Sequence, residues 1–270
     1  MTKIEDDALA DAYNEALALE KSGDIDAAVM AYAQVLKLDP DDHGGAAVRL
    51  AALGRGDIPQ KAPAAYVETL FDQHAEIFED ILVDQLGYGV PGMIAQRLQA
   101  LGLGPFKRML DLGCGTGLAA EAMGAQVAEK VGLDIAENMV EIAHDKEIYE
   151  SLYVAEAEDF LADNDEPVFD LIVAADVLPY LGALDALFSG AAANMSKGGV
   201  LVFSSETQPI EVMGDAPFMV TPHQRFAHSE TYVRAQMAAA GFEVVEVSEI
   251  NVRMQDEEPT PGHLVVGRMG

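Results

Sequence analysis

The chain has 270 residues, half of them hydrophobic, and carries a formal net charge of −30, so nucleic acid is not an expected partner. Its apolar runs are too short to span a bilayer, and the acidic first residues predict no secretory signal. The single cysteine excludes an intramolecular disulfide. We therefore expect a cytoplasmic protein without a membrane partner, built from one α/β domain and a small extra module.

The N-terminal residues 1–60 predict helices. Apolar residues recur at helical spacing over 8–19, a Lys-Ser-Gly-Asp break follows, and a second helix is predicted over 25–38. Pro40 ends it, and a third helix is predicted over 46–53.

Within this segment, Gly23-Asp24, Ala28, Tyr32 and Leu38-Asp39-Pro40 resemble a tetratricopeptide repeat. One and a half repeats are present, whereas stable solenoids need about three. The helices are therefore expected to pack on the rest of the chain or on a second subunit. Docking of a protein partner through residues 1–60 remains the alternative.

From Arg108 onward, the chain alternates between strand and helix patterns. Such alternation predicts a parallel sheet covered by helices on both faces, with ligands at the carboxyl ends of the strands. The predicted strands are 108–112, 130–134, 149–156, 169–174, 199–205, 242–250 and 263–267, and the first two helices are 118–129 and 137–146.

A glycine-rich motif, Asp111-Leu-Gly-Cys-Gly-Thr-Gly117, lies where the first strand meets a helix. Its glycines allow a sharp turn and a close approach to a ligand, although dinucleotide enzymes and plain turns use similar patterns. The carboxylate of Asp111 suits a ligand amine rather than a pyrophosphate. Asp134, about 20 residues further on, suits two ribose hydroxyls.

With these motifs, residues 61–270 resemble the class I S-adenosylmethionine (SAM)-dependent methyltransferases, which have a Rossmann-like doubly wound sheet. The whole chain resembles a bacterial group of predicted methyltransferases with N-terminal tetratricopeptide repeats, in which the segment like 61–100 is a helical lid. The resemblance implies that SAM is the cofactor and is contacted by Tyr66, Phe71, Asp111, Gly113, Cys114, Gly115, Gly117, Asp134, Ile135, Met139, Glu156, Ala157, Glu158 and Asp176.

The acceptor site has a weaker sequence signal, because methyl transfer depends mainly on holding the nucleophile in line with the methyl group. The candidate catalytic residues are His74, Tyr180, Arg225 and His228. A histidine would act as base, and Arg225 would clamp an acidic group of an acceptor held by the lid, Tyr180 and residues 217–232. The histidines lack metal-ligand spacing, so no metal is expected.

A small-molecule acceptor is the favoured hypothesis. A protein methyltransferase that docks its substrate through the helical repeats is the first alternative. A non-catalytic SAM-binding module and an NAD-dependent oxidoreductase are the others, and the acid at position 111 argues against the last.

Overall fold

The computed structural model describes residues 3–270, with side chains from residue 8 onward. The chain begins with three helices: α1 (Lys3–Ser22), α2 (Ile25–Leu38) and α3 (Ala46–Ala52). The carboxylate of Asp24 caps α2 by accepting the N–H of Ala27. Ala28 and Tyr32 are fully buried where α2 packs against its neighbours, so the small residue and the large one fill the interior of this segment.

Within the described residues, nine strands form one mixed sheet. The strands β3, β2, β1, β4 and β5 follow one another in parallel, and β9 runs antiparallel to β5 and pairs with β8. The short hairpin of β6 and β7 joins the end of β5 through Glu206 and Ala227. The strands are β1 (Phe106–Leu112), β2 (Val127–Asp134), β3 (Ser151–Val154), β4 (Phe169–Ala174), β5 (Met195–Glu206), β6 (Phe218–Val220), β7 (Phe226–His228), β8 (Phe242–Gln255) and β9 (Glu258–Met269).

Helices cover both faces of this sheet, and a separate apolar core lies under each face. Short 3-10 turns occur at Ala75–Ile77, Gly124–Gln126 and Leu178–Tyr180, and a π-helical turn occurs at Asp80–Gln85. The remaining α-helices are α4 (Ala64–Asp72), α5 (Val90–Ala100), α6 (Leu118–Met123), α7 (Glu137–Asp145), α8 (Ala157–Ala162), α9 (Asp185–Ala193), α10 (Ile210–Met213) and α11 (Glu230–Ala239). Among the described helices, none is both long and apolar enough to cross a bilayer.

Two sequence-based expectations differ from this fold. The helix predicted over 118–129 ends at Met123, because Gly124 has a φ of +46° and the chain enters β2 at Val127. The two late strands are longer than predicted and run antiparallel to each other. The sheet is therefore mixed: the pairs from β3 to β5 and the pair of β5 with β7 are parallel, whereas the pairs made by β9 and the β6–β7 hairpin are antiparallel.

The N-terminal helices pack on the sheet domain. Val48 and Ala51 of α3 share a buried cluster with Val220 and Phe226 of the β6–β7 hairpin. In the linker that follows, the N–H of Ala62 donates to a carbonyl oxygen in the turn at 178–180. The α1–α3 segment thus packs on the sheet domain of the same chain through an apolar interface.

Candidate functional site

The glycine-rich turn after β1 lies at the carboxyl edge of the sheet. Gly113 has a φ of +61°, and a Cβ there would lie 2.7 Å from Cγ2 of Val177, so a larger residue fits neither the backbone nor the space. The N–H of Cys114 donates to the carbonyl of Leu133 over 2.8 Å. This bond fixes the turn to the end of β2.

Asp134, the last residue of β2, holds the same turn from its other side. Its Oδ2 accepts the N–H of Gly115 (2.8 Å), and its Oδ1 accepts the N–H of Ala136 (3.0 Å). Burial raises the pKa of Asp134, although these backbone bonds lower it. Because each carboxylate oxygen has a second lone pair, Asp134 can still accept hydrogen bonds from a ligand.

Asp111 is a buried acid without a cation beside it. Only 1% of its surface is exposed, and its Oδ2 accepts the phenol hydroxyl of Tyr149 over 2.7 Å. Burial raises the pKa of Asp111 to about 7; the bond from Tyr149 opposes this rise and the charge of Asp134 adds to it. Among the described residues, no basic side chain pairs with Asp111. A ligand amine would supply the missing positive charge.

Two carboxylates that follow β3, those of Glu156 and Glu158, form ion pairs with the same lysine. The Nζ of Lys61 donates to Oε1 of Glu156 (2.6 Å) and to Oε2 of Glu158 (2.9 Å). Burial lowers the pKa of Lys61, but the two carboxylates reverse this effect and raise it. Sequence reasoning missed Lys61, because 95 residues separate it from Glu156 and no motif links them.

These elements surround a cavity of about 1060 Å³, counting its open mouth. Pockets for small molecules commonly have volumes of about 300–1,000 Å³. Most of the residues predicted to contact the cofactor line this cavity, namely Phe71, Asp111, Gly113, Cys114, Gly115, Asp134, Ile135, Glu156, Ala157, Glu158 and Asp176.

Three of the residues predicted to contact the cofactor do not line the cavity. Tyr66 lies in the apolar cluster shared with α3 and packs against Gly45. Met139 is fully buried beneath the loop at Ala136. Gly117 begins α6 with a φ of +97° and faces the ring of Tyr149. These positions support the walls of the cavity from behind.

The segment 61–86 lines the cavity beside the glycine-rich turn. Polar bonds fix it to the sheet domain: Thr116 donates to Glu79 (2.6 Å), and the N–H of Asn138 donates to Asp72 (2.9 Å). The segment also supplies apolar walls from Ala62, Ala64, Val67, Phe71, Phe78 and Leu82.

A family model described as a methyltransferase domain matches residues 88–247, which is more than half of the chain and includes the motifs above. This chain belongs to that family. The predicted α/β methyltransferase sheet, the enzyme class and the cofactor are confirmed for this domain, and residues 88–247 form a SAM-dependent methyltransferase domain.

Among curated proteins, the chain is 30% identical over 148 residues to a ubiquinone biosynthesis O-methyltransferase of Idiomarina loihiensis. That match covers 50% of this chain and 61% of the relative. The chain thus spans about three fifths of the length of this relative.

Solved structures show the same fold. The [4+2]-cyclase SpnF superposes with a TM-score of 0.62 at 16% identity, covering 80% of this chain and 99% of that one. The N-methyltransferase NodS of Bradyrhizobium japonicum, in complex with S-adenosyl-L-homocysteine (SAH), superposes with a TM-score of 0.51 at 20% identity, covering 66% and 85%. Because one neighbour is an N-methyltransferase and the other a cyclase, they establish the fold and not the acceptor.

A second cavity of about 590 Å³, including its mouth, adjoins the first in this methyltransferase domain. Phe71, Phe78, Leu82, Asp176 and Tyr180 line both. His74 lines the second cavity, and its Nδ1 lies 2.7 Å from the carbonyl oxygen of Leu70. Since a carbonyl only accepts, Nδ1 carries the proton, and Nε2 is the basic nitrogen of the neutral ring.

Arg225 lies behind the cavities and lines neither. Its Nε donates to Glu206 (2.6 Å), its Nη1 to Tyr180 (2.8 Å) and its Nη2 to Asp176 (2.6 Å). Burial alone lowers the pKa of Arg225, and the charges of Asp176, Tyr180 and Glu206 reverse this and raise it. The guanidinium therefore binds groups of the protein itself, contrary to the expected clamp on an acceptor.

His228 also lies outside both cavities, contrary to its expected role as base. Its Nε2 lies 2.8 Å from the carbonyl oxygen of Leu181, and its Nδ1 is buried without a hydrogen-bond partner. Burial lowers the pKa of His228 to about 4, so the ring is neutral near pH 7. Residues 217–232 form structural contacts behind Tyr180 and line neither cavity, contrary to their expected place at the acceptor.

Proposed function

We propose that this chain transfers the methyl group of SAM to a compact small molecule bound in the second cavity. One observation carries the proposal: Asp111, a buried acid without a counter-ion, and the ribose-type acid Asp134 line one cavity, which shares a wall with a mainly apolar second cavity. The first supplies contacts for an aminoacyl and nucleoside ligand, and the second supplies space for an acceptor beside it.

In this proposal the cofactor lies along the carboxyl edge of the sheet. Asp111 binds its ammonium group, because a buried carboxylate without a counter-ion favours a positive partner. The turn at Gly113 allows its close approach, and Asp134 accepts the ribose hydroxyls. Glu156 and Ala157 lie at the adenine end, where Lys61 orients the carboxylate of Glu156.

When bound, SAM supplies a methyl group on a positively charged sulfur; the sulfur–carbon bond breaks as the acceptor–carbon bond forms, and the acceptor gives up its proton. The protein positions the acceptor and excludes water through the apolar side chains of segment 61–86. Nε2 of His74 takes the proton where the acceptor is a hydroxyl. Tyr180 lines both cavities, so it would contact both ligands.

The name of the curated relative favours an oxygen of a small molecule as the acceptor. The lack of a basic run and the net charge of −30 disfavour polyanionic acceptors. We propose that residues 1–60 are a tetratricopeptide-like segment with a structural role. The apolar contact of α3 with the β6–β7 hairpin supports this role over the docking of a protein substrate.

The proposal is tested by incubating the protein with methyl-labelled SAM and a pool of small metabolites from a bacterial extract. Label in one or more small molecules is expected, together with its loss in Asp111→Asn. His74→Gln should bind SAH as the wild type does but label hydroxyl acceptors more slowly. Label confined to protein bands would contradict the small-molecule acceptor and favour the protein methyltransferase alternative.

A further inference from the structure

Arg253, near the end of β8 in the β8–β9 hairpin, contributes a positively charged side chain to the wall of the second cavity. The strand β8 continues past Ile250, which is level with the end of β5. Further along, the N–H of Met254 donates to the carbonyl of Leu86 over 2.7 Å, which fixes the hairpin tip to segment 61–86. This contact places Arg253 on the wall of the cavity. Sequence reasoning missed Arg253, because nothing in its own strand indicates the distant segment that it meets.

Arg253 lacks the partners that a guanidinium normally has. Its Nε is buried and has no hydrogen-bond partner, and one terminal N–H donates to Gln255 over 3.2 Å. Among the described residues, no carboxylate lies within ion-pair distance of Arg253. Because buried donors are nearly always satisfied, the unpaired Nε–H shows that the described residues do not supply all the acceptors that this guanidinium needs.

The other ionisable groups at this cavity already have hydrogen-bond partners within the protein. The carboxylate of Asp176 pairs with Arg225, whose guanidinium also pairs with Glu206. His74 directs its Nδ1 to a backbone carbonyl. Among the described residues that line this cavity, Arg253 is therefore the cation that makes no direct contact with a carboxylate. The rest of the wall is mainly apolar and comprises Leu70, Phe71, Phe78, Ile81, Leu82 and Leu86.

We infer that the second cavity selects acceptors that combine a compact apolar body with a carboxylate, and that Arg253 binds this carboxylate. The planar fork of a guanidinium matches the two oxygens of a carboxylate, and among the described residues no carboxylate holds the terminal nitrogens of Arg253. A volume of about 590 Å³, including the open mouth, accommodates a compact molecule. The inference rests on the proposed function, because it assigns the acceptor of that same site.

The test is calorimetry on the SAH-loaded protein with matched pairs of probes. Each pair consists of a carboxylate and its neutral carboxamide: para-hydroxybenzoate, para-hydroxycinnamate and indole-3-acetate with their amides. The wild type should bind at least one carboxylate about tenfold or more tightly than its amide. Arg253→Gln should remove this preference, and Arg253→Lys should retain part of it, since lysine keeps the charge but loses the fork.

Arg234→Gln is the matched control, because it removes an arginine whose partner is Glu230 on the exposed face of α11. It should leave the carboxylate preference unchanged. Equal binding of carboxylate and amide by the wild type in every pair would overturn the inference, as would a preference that persists in Arg253→Gln. Failure of SAH itself to bind would instead refute the proposed function, so the two failures are distinguishable.

Discussion

Asp176 and Arg225 form a buried ion pair, with Oδ1 of the carboxylate 2.6 Å from Nη2 of the guanidinium. Asp176 also has a φ of +63°, a conformation that residues other than glycine rarely adopt. Its N–H donates to the hydroxyl of Ser204 on β5 (2.9 Å). The pair thus holds a strained residue on the wall that the two cavities share.

Replacing Arg225 by methionine should strongly destabilise the protein. The change leaves Asp176 and Glu206 buried without their counter-ion, and breaking such a cluster commonly costs about 3–5 kcal/mol. Arg234→Met removes an exposed pair and should change the free energy of unfolding by about 1 kcal/mol or less. Urea unfolding of both variants checks the prediction, and equal effects would contradict the structural role of Arg225.

The affinity for SAH should rise with pH if Asp111 binds its ammonium group. The pKa of Asp111 is about 7 in the free protein, so the ionised form that attracts the ligand becomes more populated above that pH. Affinity should increase about five- to tenfold from about pH 6 to about pH 7.5. Calorimetry at both pH values measures this, and Asp111→Asn should bind weakly with little pH dependence. An equal rise in the variant would exclude Asp111 as its source.

Much of the fold could be predicted from local sequence signals. The strand 169–174 and the helix 25–38 have the predicted bounds, because a short apolar run and a helical repeat between clear breakers are local patterns. The helix after the glycine-rich turn was predicted six residues too long, since Gly124 ends it through a backbone conformation that the apolar pattern does not encode.

The acceptor side could not be predicted in the same way. Arg225 stood out in so acidic a chain, but its partners Glu206 and Asp176 lie 19 and 49 residues away. Only the folded structure, in which Arg225 directly precedes β7, shows that Glu206 and Asp176 accept hydrogen bonds from its guanidinium. Lys61 and Arg253 were missed for the same reason, because each acts on a segment remote in sequence.

His228 should make the protein sensitive to acid. Its pKa is about 4 in the folded protein and 6.5 ordinarily, so the unfolded chain takes up a proton first as the pH falls. The contribution of neutral His228 to the free energy of unfolding is complete above pH 6.5. That free energy should fall by about 2–3 kcal/mol by about pH 4.5. Urea unfolding should show a smaller decline for His228→Gln. The control variant is His223→Gln, at a half-exposed histidine. Identical pH profiles for His228→Gln and His223→Gln would contradict the prediction.

Residues 61–85 should become more protected when SAH binds. Their apolar side chains line the cavity, so a ligand would add contacts to α4 and to the turns that follow. Hydrogen exchange with and without SAH measures the change, and α9, which lines neither cavity, serves as the internal reference. Equal protection of residues 61–85 in both states would rule out a lid that responds to the cofactor.

The central claim is that Asp134 and the glycine-rich turn bind SAM, and calorimetry with SAH tests it most directly. The wild type should bind one SAH per chain, and Asp134→Ala should weaken binding by about 1–3 kcal/mol, because ligand hydroxyls lose their acceptor. Asp145→Ala removes an equal charge from an exposed position and should bind as the wild type does. Unchanged affinity in Asp134→Ala, measured below its unfolding temperature, would contradict the account.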